Sequence, residues 1–379
     1  MNLASWSTQR ENNFDVLRLA AATLVLVSHS FVVVGAHEPH VGRWPLGTLG
    51  VEIFFAISGF LIAKSWLSQP RLRAFAVKRG LRILPALIAT VLACTLLLGP
   101  LVSSDSTGAY FSNPQTPEFV VDNVVATVSG GAVRDIALDL PGVYDSNPAH
   151  SVDLSLWTLP IEIRAYMLVA ALGLLGLLIA GLPLMAACFF ALSIAGAGVA
   201  DVPVIGSALE FLRGTDGETA HLVALFAVAA LFYVWRERIP LRGDLAALAL
   251  IVLVATLGTP VERPLLLFAI PYLALFLAYR SPSQARVLTS RGDVSYGLYL
   301  LAFPVQQTLV QAWDGLPSPA LVALIGFPIT YLLAMASWHW IERPALRLKG
   351  PLATPRHARP RAQPPPASVP DSDPAAVRI

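Results

Sequence analysis

Apolar runs of about twenty residues recur along the whole chain, separated by short polar segments. A helical run of that length matches the hydrocarbon thickness of a bilayer, so we read these runs as membrane-spanning helices. Ten are predicted, at approximately Phe14–Val34, Thr48–Trp66, Ile83–Val102, Leu154–Ala180, Leu182–Val199, Ala220–Trp235, Leu245–Thr259, Pro264–Tyr279, Val294–Trp313 and Ala320–Ile341.

Lys and Arg residues accumulate in alternate breaks between these runs, which indicates the cytoplasmic side of the membrane. With the N-terminus inside, the basic breaks all fall inside, and an even number of spans places both termini in the cytoplasm. The residues concerned are Arg71, Arg73, Lys78, Arg79 and Arg82, then Arg236, Arg238 and Arg242, then Arg280, Arg286 and Arg291.

Composition agrees with a membrane protein, because 55% of residues are hydrophobic and only 13% are charged. Cys94 and Cys188 lie in separate apolar runs, without metal-ligand spacing, and are interpreted as packing residues. We expect the first helix to be retained rather than cleaved as a signal peptide. The predicted fold is an all-α polytopic bundle over residues 1–349, followed by a disordered, Pro-rich cytoplasmic tail over 350–379.

Two ionisable residues, Arg18 and His29, lie eleven positions apart in the first predicted span. Eleven residues make about three helical turns, so both side chains share one face, roughly 16 Å apart along the axis. Ionisable groups inside a bilayer are costly and are usually functional. The alternative is an arginine that anchors the helix at the headgroups and a histidine that packs between helices.

A second cluster, Gly50–Phe60, opens the second predicted span. Its small residues Gly50, Ser58 and Gly59 would allow a neighbouring helix to approach closely. Glu52 is a carboxylate near the outer end, where it would face solvent, a cation or His29.

A third cluster, Lys78–Pro85, is basic and lies at the inner end of the third predicted span. Arg79 and Arg82 are three apart, so they share a helix face and their planar guanidinium groups suit a phosphate. The positive-inside pattern alone is the competing explanation.

The fourth cluster, Ser155–Tyr166, enters the fourth predicted span. Glu162 and Tyr166 are four apart on one face, and a glutamate two turns below the surface indicates a specific role. Trp157 fits either an interfacial anchor or a substrate contact.

Taken together and in this order, the four clusters resemble the acyltransferase-3 family of integral membrane acyltransferases. The resemblance extends to two late signatures, Ser295–Leu301 and Trp340–Pro344. The matching residues of the four clusters are Arg18 and His29; Gly50, Phe54, Phe55, Ser58 and Gly59; Arg79, Arg82, Ile83 and Pro85; and Leu156, Trp157, Thr158, Leu159 and Glu162.

Two departures from the family pattern stand out. Many relatives carry a His before the Phe-Pro pair of the ninth helix, where this chain has Ala302 before Phe303 and Pro304. Some relatives continue into a soluble esterase-like domain, whereas this sequence ends in the Pro-rich segment. Transfer would then be completed by the membrane domain or by a separate periplasmic transferase.

The resemblance implies transfer of an acyl group, usually acetyl from acetyl-CoA, to a hydroxyl of a carbohydrate or lipid-linked glycan outside the cytoplasmic membrane. An alcohol needs a base near neutrality, so His29 is the predicted general base. The other predicted roles are catalytic for Arg18 and Glu162, donor-binding for Arg79, Arg82 and Ser58, and substrate-binding for Trp157, Glu52 and Tyr166. Neither a metal nor a nucleic-acid partner is expected.

Other functional classes remain open on the sequence. Intramembrane Arg, His and Glu residues would equally suit a transporter or flippase for a glycan or lipid-linked precursor. The absence of obvious repeat symmetry argues against that reading. An inactive scaffold for polysaccharide assembly is a third interpretation, and it predicts that His29 is dispensable.

Overall fold

The computed structural model describes residues 2–9, 11–195, 217–281, 287, 289–290 and 292–349. The described chain is helical, apart from a small antiparallel hairpin formed by β1 (His40–Val41) and β2 (Trp44–Pro45). The helices are α1 Leu3–Ser7, α2 Phe14–Val32, α3 Leu46–Ser68, α4 Leu72–Val102, α5 Thr107–Ser112, α6 Gln115–Ser129, α7 Thr158–Leu174, α8 Leu178–Ala195, α9 Gly217–Val234, α10 Gly243–Ala255, α11 Glu262–Arg280, α12 Ser295–Gln311 and α13 Pro319–Ser337.

Seven helical segments among the described residues are long and apolar enough to cross a membrane: α2, α3, α4, α7 with the short 3₁₀ turn before it, α9, α11 and α13 with the turns after it. The chain is therefore a multi-pass membrane protein. The remaining predicted spans also form helices, but α10, α12 and the apolar stretch Leu178–Ser193 of α8 are shorter than these seven, so the total of ten stays a prediction. The predicted end of the fifth span and the predicted tail lie outside the described residues.

Helix α4 begins at Leu72, and the sequence prediction of a start at Ile83 is wrong. The basic residues lower the hydropathy of this segment, but Arg, Lys, Leu and Ala are all good helix formers. Pro85 lies inside the helix, where it removes one backbone donor without ending the helix. Arg79 and Arg82 therefore project from one helix, as their spacing of three predicted.

Helix α3 packs closely against α2 and α9, and glycines make these crossings possible. A Cβ on Gly50 would lie 2.6 Å from the carbonyl oxygen of Ala21 in α2. A Cβ on Gly59 would overlap the carbonyl of Phe226 in α9. The small residues of the Gly50–Phe60 cluster thus permit close helix contact on two sides of α3.

The segment between α4 and α7 is not a plain loop, because it contains α5, α6 and further ordered turns. Hydrogen bonds connect it to the C-terminal end of α12. The Tyr144 hydroxyl lies 2.8 Å from Thr308 Oγ1, and the Asn147 side-chain amide donates to the Gln307 backbone carbonyl at 3.0 Å. We call this end of the bundle the loop face. The opposite end, where α2, α4 and α12 begin, is called the arginine face.

Candidate active site

Three charged residues from three segments meet at the arginine face. Asp293, just before α12, has its Oδ2 2.5 Å from Nη2 of Arg82 in α4 and 3.4 Å from Nη1 of Arg18 in α2. Burial opposes ionisation of Asp293, but Arg82 and Arg18 outweigh it and hold its pKa below the usual range. Arg82 Nη1 also lies 3.6 Å from Oε2 of Glu342, and its guanidinium lies over the Tyr296 ring at 5.8 Å.

Further cations adjoin this cluster. Arg79 donates weakly from Nη2 to Ser65 Oγ at 3.4 Å, and its buried Nε atom has no hydrogen-bond partner within the described part of the chain. Burial, together with the nearby cations Arg79, Arg82 and Lys78, lowers the pKa of Lys349 to about 8. This concentration of positive charge can hold an anion such as a phosphate.

A cavity of about 80 Å³ extends from these arginines into the bundle, and we call it the arginine cavity. It brings together six of the residues predicted from the sequence. They are Arg18, Ser58, Arg79, Arg82, Glu162 and Tyr166.

Glu162 accepts two hydrogen bonds at the inner end of the arginine cavity. Ser58 Oγ donates to Oε1 of Glu162 at 2.6 Å, and the Tyr166 hydroxyl donates to the same oxygen. The hydroxyl oxygens of Ser58 and Tyr166 also lie 3.3 Å apart. Their positions follow from helix geometry, since Glu162 and Tyr166 share one face of α7 and face α3.

A second cavity of about 50 Å³, the tyrosine cavity, adjoins the first and shares three lining residues with it, Phe54, Glu162 and Tyr296. Its far wall contains Tyr299, whose hydroxyl lies 2.7 Å from Oγ1 of Thr158. Together the two cavities define a route that leads from the arginine face past Glu162 as far as Tyr299.

His29 lies beyond that route. It contacts Phe303, which is one helical turn further along α12 than Tyr299. Its ring contacts Phe303 edge-on, with centroids 5.1 Å apart, and the side chain is 8% exposed. Its buried Nδ1 atom has no hydrogen-bond partner among the described residues. Tyr296, Tyr299 and Phe303 follow at helical spacings of three and four, so one face of α12 leads from the arginine cavity to His29. His29 itself lines neither cavity.

Glu52 is buried and does not line either cavity. Its Oε1 lies 2.9 Å from Nε2 of His221 in α9, and both side chains are almost completely buried. Trp44 stacks on His221, with ring centroids 5.4 Å apart. Glu52 thus contacts α9 and not His29.

Trp157 ends a 3₁₀ turn, Leu154–Trp157, and is half-buried beside the tyrosine cavity residue Thr158. Asp153 precedes that turn and is 1% exposed, with Oδ1 accepting from the Ser155 amide at 2.9 Å. Burial raises the pKa of Asp153 to about 8. Ala302 is buried next to Phe303.

Sequence reasoning missed Asp293 and His221. Asp293 lies in a polar break directly before the Ser295–Leu301 signature. An acidic residue among the basic residues of such a break could have indicated a charged site. His221 is an ionisable residue within an apolar run, which is the same signal that identified His29.

The family model of the acyltransferase domain of acyltransferase-3 proteins matches residues 11–339. A relative named O-acetyl transferase, from Shigella phage Sf6, is 27% identical, and the match covers 90% of this chain and 98% of the relative. Nodulation protein 10, from Rhizobium leguminosarum bv. viciae, is 28% identical over 92% of this chain and 97% of its own. No solved structure matches the chain.

The family match spans all four sequence clusters and both cavities. It also covers the helices that carry Arg18, His29, Arg82 and Glu162. The chain belongs to the acyltransferase-3 family and is a multi-pass membrane acyltransferase.

Proposed function

We propose that the protein transfers an acetyl group from cytoplasmic acetyl-CoA to a hydroxyl of a carbohydrate or glycolipid on the outer side of the cytoplasmic membrane. In this proposal both termini and the arginine face are cytoplasmic, and the loop face is on the outer side. The proposal agrees with the positive-inside pattern, since the basic breaks of the sequence belong to the arginine face.

The observation that carries the proposal is the route formed by the two cavities. It begins at Arg18, Arg79 and Arg82, where the phosphates of CoA would bind. It ends at Tyr299, one helical turn before Phe303, which contacts His29. Arg18 and His29 are roughly 16 Å apart along α2, a separation that a long, narrow pantetheine arm suits.

The proposed chemistry uses His29 as the base. Its imidazole takes the proton of the acceptor hydroxyl while the oxygen attacks the thioester carbonyl carbon. The carbon–sulfur bond then breaks, and the CoA thiolate leaves with the proton that His29 received. This role requires a neutral imidazole with a free nitrogen, and the Nδ1 of His29, which has no hydrogen-bond partner in the part of the chain that the structure describes, supports it.

Glu162, Ser58 and Tyr166 lie midway along the route and are proposed to position the donor arm or the acceptor. Trp157, beside the tyrosine cavity, is a proposed acceptor contact. The name of one relative, O-acetyl transferase, supports acetyl as the group transferred.

The test compares surface glycans by mass spectrometry in host cells that lack the gene. The cells are complemented with wild type, with His29→Ala, or with the control His150→Ala, all at matched expression. His150 is an exposed histidine on the loop face. We expect an acetyl-sized mass to return with wild type and with His150→Ala, and to fall by about 10²-fold or more with His29→Ala.

Each other result has a definite meaning. Full acetylation with His29→Ala would disprove the proposed base. No acyl difference between the deletion strain and the wild type, together with a change in glycan export, would favour the transporter.

A further inference from the structure

Asp293 is the one carboxylate in the described structure that bonds both Arg18 and Arg82. Its side chain is only 10% exposed. Its other oxygen, Oδ1, accepts from Ser295 Oγ at 2.5 Å and from the Ser295 amide at 3.3 Å. Ser295 thus fixes the carboxylate in the orientation that turns Oδ2 towards the two guanidinium groups.

The backbone before Asp293 is fixed as well. Gly292 adopts φ +137°, a conformation that residues with a Cβ rarely adopt, and a Cβ on Gly292 would overlap the Trp338 indole. The Asp293 carboxylate is therefore oriented by Ser295, on a backbone for which Gly292 is required.

The same two guanidinium groups line the arginine cavity, where the proposed function requires them to bind phosphate. An arginine N–H that donates to Asp293 at 2.5 Å is not available to a phosphate oxygen at the same time. The negative charge of Asp293 also repels an incoming phosphate. Arg79, in contrast, has no carboxylate partner within the described chain.

We propose that Asp293 is an internal counter-ion that competes with the phosphates of CoA for Arg18 and Arg82, and so sets how tightly the donor and the CoA product are held. This inference rests on the proposed function. Arg79 would engage a phosphate first, and Arg82 and Arg18 would exchange Asp293 for it. When CoA leaves, Asp293 takes the guanidinium groups back, which favours product release.

The inference predicts an unusual direction of change, because removing a residue of the site strengthens binding. Asp293→Asn keeps the acceptor oxygen for Ser295 and removes the charge. We expect the dissociation constant for CoA to fall by about threefold to tenfold at low salt. The turnover rate should fall at the same time, because release of CoA becomes slower.

The experiment measures CoA binding calorimetrically with purified, full-length wild type, Asp293→Asn and Asp293→Glu in one detergent. Asp293→Glu keeps the charge and should bind CoA as the wild type does or more weakly. Asp244→Asn is the remote control, since Asp244 forms an exposed ion pair with Arg242 at 2.5 Å, away from the cavity. It should leave the dissociation constant unchanged.

Unchanged or weaker CoA binding by a folded Asp293→Asn protein would overturn the inference, as would equal tightening by Asp293→Glu. If Asp293→Asn does not fold, Asp293→Ser serves as the second neutral variant, because serine also accepts from a nearby backbone amide. If neither neutral variant folds, Asp293 is a structural ion-pair partner and the inference is wrong.

Failure of the proposed function has a different signature. In that case the wild type itself would not bind CoA, or Arg79→Gln would leave CoA binding unchanged. CoA binding that depends on Arg79 but is not tightened by Asp293→Asn would overturn only the inference about Asp293.

Discussion

His221 Nε2 lies 2.9 Å from Glu52 Oε1, and this pair joins α9 to α3 inside the bundle. Both side chains are at most 1% exposed. His221→Ala would leave a buried carboxylate without its partner, which typically costs about 3–5 kcal/mol. We expect a clear drop in the thermal unfolding temperature of the purified protein. Glu52→Gln, which keeps a hydrogen-bonding group, should cost less, and a loss no larger than that of exposed His150→Ala would contradict the structural role.

Gly59 permits a close contact between α3 and α9. Gly59→Ala places a methyl group against the carbonyl of Phe226, and we expect a destabilisation of about 1–3 kcal/mol from overpacking. Gly108→Ala is the matched control, because nothing lies within 4 Å of a Cβ at that helical position. Thermal unfolding should separate the two variants, and equal stability would show that α3 can move away from α9 without cost.

Glu162 accepts from both Ser58 and Tyr166, so its charge is central to the middle of the route. Glu162→Gln keeps the shape and removes the charge that strengthens both bonds. We expect acyl transfer to fall by about tenfold or more, the effect of one lost charge-assisted hydrogen bond. The exposed Glu118→Gln change on α6 is the control. Full acetylation of surface glycans with Glu162→Gln at matched expression would exclude a role for this charge.

The raised pKa of Asp153 should make the stability of the folded protein depend on pH. Its carboxyl keeps its proton up to about pH 8 in the folded protein, whereas in an unfolded chain it ionises near pH 4. The folded state therefore binds more protons between these values, and stability falls as the pH rises from about 4 to 8. Thermal unfolding of Asp153→Asn should vary less with pH over this range than that of the wild type. Parallel pH curves would show that Asp153 ionises normally.

The lowered pKa of Lys349 should cause the protein to take up a proton when an anion binds at the arginine face. Burial and neighbouring cations hold its pKa at about 8, and a bound phosphate would raise it again. CoA binding at pH 8 to 9 should take up a proton, which calorimetry in buffers of different ionisation enthalpy measures. Lys349→Arg stays charged and should abolish the uptake. Equal uptake by that variant would assign the proton to another group.

Local patterns in the sequence were sufficient where the decisive contacts follow helix periodicity. Glu162 and Tyr166 were predicted to share one helix face. In the structure the hydroxyl groups of Tyr166 and Ser58 both donate to Glu162 on that face. The same reasoning placed Arg18 and His29 on one continuous helix. Such predictions need only 3.6 residues per turn.

Contacts between distant segments could not be predicted in this way. Ser58 and Glu162 are 104 positions apart, and Arg82 and Asp293 are 211 apart. Which faces meet is decided by helix packing around glycines such as Gly59, and spacing within one helix carries no information about it. Glu52 illustrates the limit, since its position in α3 was predicted but its partner in α9 was not.

The last long helix widens into a π turn over Trp338–Glu342, and Ser337 bonds Glu342 across it at 3.3 Å. A π turn inserts one extra residue, so everything after it is rotated by roughly 100° relative to an uninterrupted α-helix. That rotation turns Glu342 towards Arg82 on α4. Deletion of a single residue of the turn before Glu342 would therefore redirect the Glu342 side chain away from Arg82. The Trp340–Pro344 signature thus marks a change of backbone register as well as a set of side chains.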